Sequence, residues 1–112
     1  MTQDAVPERW RLGPDSLPRG RYVDRSFLEL EYERLFSRTW QMACREEEVP
    51  AVGSFLEYAI GDQSFLVVRA APDEIRAYYN ACIHRGSRLG RGSGRVKELR
   101  CPFHGWRYAL DG

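Results

Sequence analysis

Hydrophobic positions change period near the middle of the chain. Leu28, Tyr32, Leu35 and Phe36 recur at i, i+4, i+7 and i+8, which is one helical face, so a core-packing helix is predicted over 24–40. Asp24 or Ser26 is placed to cap it, and Ser26 with Glu29 has capping-box spacing. Beyond Gly53 the helical period is lost. Ser54–Ile60 alternates in part, with Phe55, Tyr58 and Ile60 inward. Gly61-Asp62 reads as a turn, and Gln63–Arg69 holds the run Phe65-Leu66-Val67-Val68 of a buried strand. Pro72-Asp73-Glu74 is the next turn, before a short strand over Ile75–Tyr79. Leu89–Gly94 is rich in Gly, Ser and Arg and reads as a loop, and Val96–Arg100 as one more strand. Short strands joined by turns predict a mostly β chain with an N-terminal helix, its strands in an antiparallel sheet or small barrel. Asp111-Gly112 is a hairpin-turn dipeptide that ordinarily leads into another strand, so the sheet is expected to be truncated at its C-terminal end.

Residues 1–21 show no period. Pro7, Gly13, Pro14, Pro18 and Gly20 punctuate them, which predicts an irregular arm that Trp10 pins to the body. The expected organisation is an arm over 1–21, a helical segment over 22–48 and a strand-rich body over 49–112. Glu46-Glu47-Glu48 reads as a solvated charge run before Pro50. A chain of 112 residues supports one domain with one modest core. Apolar residues at 43% and charged residues at 29% exclude a disordered polymer. No apolar run is long enough to span a bilayer, and the polar start Met1-Thr2-Gln3-Asp4-Ala5 lacks the apolar stretch of a secretory signal. The expected location is cytoplasmic, without membrane contact.

Net charge is +1, yet it is unevenly spread. Residues 1–83 carry ten Lys/Arg against fourteen Asp/Glu, and residues 84–112 carry seven against two. The C-terminal quarter is therefore a basic patch on an acidic body. Nucleic-acid binding would need these charges interleaved with stacking aromatics on one face. Here the patch coincides with the Cys/His segments, so no nucleic-acid partner is expected. A docking face for an electron donor, or pairing with acidic residues, accounts for it.

The cysteines Cys44, Cys82 and Cys101 are odd in number, which argues against a disulfide framework. Cys44 reads as a small buried apolar residue rather than a further ligand. Both histidines of the chain follow a cysteine closely, in Cys82-Ile83-His84-Arg85-Gly86 and Cys101-Pro102-Phe103-His104-Gly105-Trp106. As ligands this is C-x-H, sixteen intervening residues, then C-x-x-H. Two readings remain open. Two Cys and two His can close a tetrahedral zinc site. Alternatively, the cysteines bind one iron and the histidines the other iron of a [2Fe–2S] cluster. Loops that each mix a soft thiolate with an imidazole suit a binuclear centre, whereas zinc sites more often pair like with like.

The two boxes resemble the ligand boxes of the Rieske [2Fe–2S] domain, in the form found at the N-terminus of the large (α) subunit of bacterial ring-hydroxylating oxygenases. Tyr22, Thr39-Trp40-Gln41, Val52-Gly53-Ser54-Phe55, Val67-Val68-Arg69 and Tyr79-Asn80-Ala81-Cys82 extend the resemblance over 18–112. It implies that Cys82 and Cys101 hold one iron and His84 and His104 the other. It further implies electron transfer from a ferredoxin or reductase to a mononuclear iron(II), held by two histidines and a carboxylate in a catalytic domain of the same or a neighbouring subunit. Homo-oligomers are implied for the full-length protein. Both histidines are committed to the cluster, so that second iron site is expected outside this segment. A stand-alone Rieske-type ferredoxin is the alternative. High-potential respiratory relatives carry two further cysteines and a serine, where this sequence has Ser87, Phe103 and Trp106. Tyr108 remains as the donor to a cysteine sulfur, and a low potential is expected.

Overall fold

In this computed structural model, Glu8 and residues 17–112 are described. The expected pinning by Trp10, and most of the expected arm, lie outside the described residues. Two units form, one up to Gln41 and one over Met42–Gly112.

The predicted helix over 24–40 is divided and shorter. Helix α1 spans Gly20–Val23 and α2 spans Arg25–Glu31, so helix begins inside the expected arm. Asp24 separates the two with an extended backbone and caps α2, accepting from Ser26 N at 2.9 Å and Ser26 Oγ at 2.7 Å. The capping box of Ser26 and Glu29 does not form, and Glu29 pairs with Arg25 at 3.3 Å instead. Tyr32–Phe36 widens into a π-helical turn. Ser37 Oγ then donates to Glu33 O and Thr39 Oγ1 to Leu35 O, so side chains take up the last carbonyls and the helix stops. The apolar stripe is not a buried face: Leu28 and Leu35 are 42% and 45% exposed. A segment this short cannot close a core of its own.

In the second unit the helical period gives way to sheet. Strands β1 (Ser54–Ile60), β2 (Gln63–Ala71), β3 (Glu74–Tyr79) and β4 (Ser93–Arg95) form an antiparallel sheet in the order β3-β2-β1-β4. Ile60 pairs with Gln63 across the predicted two-residue turn, with Gly61 at φ +60°. The sheet ends at β3 and β4 and stays open, so of the two expected architectures the barrel is not formed. A separate ribbon pairs β5 (Leu99–Arg100) with β6 (Arg107–Tyr108). The strand expected over Val96–Arg100 is thus cut to its last two residues. Ser93 and Gly94, expected in a loop, instead pair with β1. Gly94 can do so because a Cβ there would press on the Phe55 ring, 3.0 Å from Cε1.

The predicted apolar run of β2 is buried on both faces. Leu66 and Val68 form the core with Leu99, packed by Phe55, Tyr78, Leu89, Val96, Tyr108 and Leu110. Each such side chain contributes about 1.5–3 kcal/mol by leaving water. On the opposite face Arg69, 6% exposed, donates to Val49 O at 2.5 Å and Pro72 O at 2.9 Å and pairs with Glu46 at 3.1 Å. The acidic run Glu46–Glu48 is therefore not wholly solvated; it forms a 3-10 turn tied to β2 through Arg69. No described helix is long and apolar enough to cross a membrane.

Candidate metal centre

Two loops leave the sheet and the ribbon. One follows β3 and carries Cys82 and His84; the other joins β5 to β6 and carries Cys101 and His104. Their backbones close in the same way. Cys82 N donates to Ser87 O at 2.8 Å and Gly86 N to Cys82 O at 2.8 Å. Cys101 N donates to Trp106 O at 2.7 Å and Gly105 N to Cys101 O at 3.0 Å. Gly86 and Gly105 occupy equivalent corners at φ +74° and +77°, a conformation that side-chain-bearing residues seldom adopt. One turn geometry is thus used twice. The histidine sits at the second position after the cysteine in one loop and at the third in the other.

The four predicted residues come together in pairs. Cys82 and Cys101 are both 2% exposed, and the Cys101 side chain is near enough to help hold the Cys82 thiol below its ordinary pKa. The His84 and His104 rings meet edge-on at 4.9 Å between centroids, on the exposed side. Aromatic side chains of the second loop lie beside both imidazoles: Trp106 stacks on His84 at 4.7 Å and 7°, and Phe103 tilts over His104 at 4.0 Å. Trp106 is 44% exposed, so it covers an imidazole instead of filling the core.

Hydrogen bonds converge on the first sulfur. Tyr108 Oη lies 3.0 Å from Cys82 Sγ and accepts from Ile83 N at 3.2 Å. That hydroxyl above all holds the Cys82 thiol below its ordinary pKa, against the opposing effect of burial; the N–H groups of His84 and Arg85 and the Cys101 side chain add to it. The same contact pushes the Tyr108 phenol up. Cys44 behaves differently: it is half-buried and not, as expected, buried, and burial, then the Glu48 carboxylate, push its thiol up, which suits an unreactive residue.

The donor set fits a binuclear iron–sulfur group. Two thiols face each other inside and two imidazoles face each other outside. A tetrahedral zinc would need all four donors on one ion, whereas a cluster with unlike irons needs them in pairs.

Sequence reasoning missed the polar residues beneath the loops. Asn80 is buried and bonds to Leu89 and Gly90; Glu57 gathers Ser64, Asn80, Arg88 and Gly92. The available signal was an amide two residues before the first ligand box. Part of the basic patch is paired internally, Arg88 with Glu57 at 3.1 Å and Arg107 with Glu98 at 3.7 Å.

Comparison with known proteins agrees with this chemistry. The family described as Rieske [2Fe-2S] domain matches residues 39–112. The chain is 42% identical over 98 residues to the glycine betaine monooxygenase oxygenase subunit of Pseudomonas aeruginosa, covering 87% of this chain and 23% of that protein. It is 39% identical over 92 residues to the biphenyl dioxygenase subunit alpha of Paraburkholderia xenovorans, covering 81% and 20%. Its fold is similar to naphthalene 1,2-dioxygenase from Rhodococcus, with TM-score 0.79 and 35% identity over 86% of this chain and 22% of that one. The chain therefore spans about a quarter or less of the length of these relatives.

Proposed function

The chain belongs to the Rieske [2Fe–2S] domain family, and on that premise we propose that Cys82 and Cys101 hold one iron of the cluster and His84 and His104 the other. The observation that carries this reading is the segregation of donors: buried thiols at one end, exposed imidazoles at the other, on two loops of one design. A cluster so held supplies one-electron transfer. The chain's own residues set the terms. Tyr108 Oη and the N–H groups of His84 and Arg85 point positive ends at the Cys82 sulfur, where negative charge grows on reduction. The imidazole pair, between Phe103 and Trp106, forms the outward end that a redox partner reaches.

In this reading residues 49–112 are the cluster-bearing body of an oxygenase α subunit, preceded by a helical segment that starts at Gly20. Electrons arrive from a ferredoxin or reductase. They pass to a mononuclear iron(II) held by a catalytic domain of the same or a neighbouring subunit in a homo-oligomer. Similarity to α subunits of which this chain spans about a quarter or less supports that role over a stand-alone ferredoxin. The relatives' names include both a glycine betaine monooxygenase and a biphenyl dioxygenase. The reaction class is hydroxylation of a small organic molecule, aromatic in the form the sequence resembles, and the location is cytoplasmic, with neither membrane nor nucleic acid as partner.

Iron and sulfide analysis with electron paramagnetic resonance tests the centre. Two irons and two sulfides per chain are expected, and Cys82→Ser or His104→Ala should lose them. Stoichiometric zinc without sulfide would overturn the assignment.

A further inference from the structure

A polar network lies under the first ligand loop and includes none of the four ligands. Asn80, 4% exposed, reaches across the loop's base. Its Oδ1 accepts from Leu89 N at 2.9 Å and Gly90 N at 3.1 Å. Its Nδ2 donates to Gly90 O at 2.8 Å, Ser64 Oγ at 3.0 Å and Glu57 Oε1 at 3.3 Å. Glu57 Oε1 also accepts from Ser64 Oγ at 2.8 Å and Arg88 Nη1 at 3.1 Å, and Glu57 Oε2 from Gly92 N at 3.0 Å. Glu57 stands on β1 and Ser64 on β2, so the network is anchored in the sheet.

We propose that Asn80 and Glu57 are positioning residues for the cluster: a clasp that fixes the two legs of the 82–87 loop before the cluster arrives. Asn80 belongs to the outgoing leg, whose own N–H is fixed to Ser64 O at 2.9 Å. Residues 88–92 form the returning leg, and the Asn80 amide bonds it as a neighbouring strand would. Gly90 lets that leg lie directly on the core, where a Cβ would sit 3.0 Å from Leu66 Cδ2 and 3.1 Å from Phe55 Cε2. The separation of the legs sets where Cys82 and His84 stand. Each polar group in the clasp is matched, so removing Asn80 leaves part-buried partners unsatisfied and lets the returning leg lift. That role rests on Cys82 and His84 being cluster ligands.

The test compares Asn80→Ala, Ser64→Ala and Val67→Ala in the full chain. Hydrogen exchange at the Leu89 and Gly90 amides is followed without cluster; after reconstitution with iron and sulfide, cluster lifetime under a chelator and resonance g values are followed. Asn80→Ala should speed exchange at both amides, shorten cluster lifetime roughly 10-fold to 100-fold and move the g values. Ser64→Ala removes two bonds of the clasp but leaves the three from Asn80 to Leu89 and Gly90, so it should act in the same direction by a smaller factor, which keeps the test open if Asn80→Ala fails to fold. Val67→Ala weakens the sheet away from the clasp; at equal residual stability it should leave the g values in place. Unchanged lifetime and g values in the clasp variants, despite faster exchange, would overturn the proposal. So would an equal effect from Val67→Ala. Retention of the cluster by Cys82→Ser would remove the ligand assignment, and this role with it, whatever the amides do.

Discussion

The Tyr108 hydroxyl lies 3.0 Å from the Cys82 sulfur, joining the short β5–β6 ribbon to the first Cys/His loop. A metal-bound thiolate has no proton to give, so Tyr108 is then the donor. Reduction adds negative charge around the sulfurs, and the bond strengthens with it. Tyr108→Phe should therefore lower the midpoint potential by tens of millivolts, a tenfold shift in a one-electron equilibrium being about 59 mV. Voltammetry of the two proteins at one pH checks the sign, and an unchanged or raised midpoint contradicts it.

Gly86 and Gly53 separate two costs of a side chain. Both have positive φ, +74° and +88°. A Cβ at Gly86 meets nothing within 4 Å, so Gly86→Ala should pay only the left-handed backbone cost, ~1–2 kcal/mol. A Cβ at Gly53 would lie 2.0 Å from Val96 O, a backbone atom that cannot rotate away. Gly53→Ala should therefore destabilise more than Gly86→Ala, and Gly86→Asn less than either. Urea midpoints give the order, and equal losses at the two glycines would contradict it.

Much of the candidate site was legible because the spacing of possible ligands is local. Cysteine and histidine two or three residues apart, with a glycine closing the turn, need no tertiary knowledge to be noticed. The Tyr108 donor was legible for the same reason, lying just beyond the second box. Asn80 and Glu57 were not, since their roles depend on Leu89, Gly90 and Gly92 folding back across the sheet. The strands Ser54–Ile60 and Gln63–Ala71 were readable from alternation and an apolar run, the second to within two residues of its end. The helix over 24–40 was overextended: the face that periodicity marked is left largely exposed, and Ser37 and Thr39 side chains capturing carbonyls decided its end.

Glu57 gives the clasp an acid limit. Its carboxyl is held below the usual range first by the Gly92 N–H and then by the Ser64 hydroxyl, with Arg88 and Asn80 adding and burial opposing. A carboxyl depressed in the folded state contributes stability above its unfolded pKa, about 4.3, and loses it as pH falls through the lower folded value. The stability gap between wild type and Glu57→Gln should be full near neutrality and close below about pH 4. Denaturant midpoints of both proteins without cluster, measured across that window, read it directly. A gap that widens on acidification would contradict the depressed carboxyl.

The indole of Trp106 covers an imidazole at the other end of the site. It lies parallel to His84, 4.7 Å away, and is the part of the second loop that covers that imidazole. With a core of +2 when oxidised, two thiolates make the centre neutral, and reduction makes it singly negative. Four thiolates would have started it at −2, so the potential should lie well above the ~−400 mV of plant-type ferredoxins. It should stay near the low end of the Rieske range, about −150 mV, because Trp106 brings no hydroxyl and Tyr108 is the side-chain donor at the sulfur. Water solvates the negative reduced form better than the neutral oxidised one. Trp106→Ala, by uncovering His84, should therefore raise the midpoint, opposite in sign to Tyr108→Phe, while Trp106→Phe keeps a ring on His84 and moves it less. Voltammetry of the three variants in one buffer decides it. Two shifts of the same sign would mean that Trp106 acts by holding the loop together and not by excluding water.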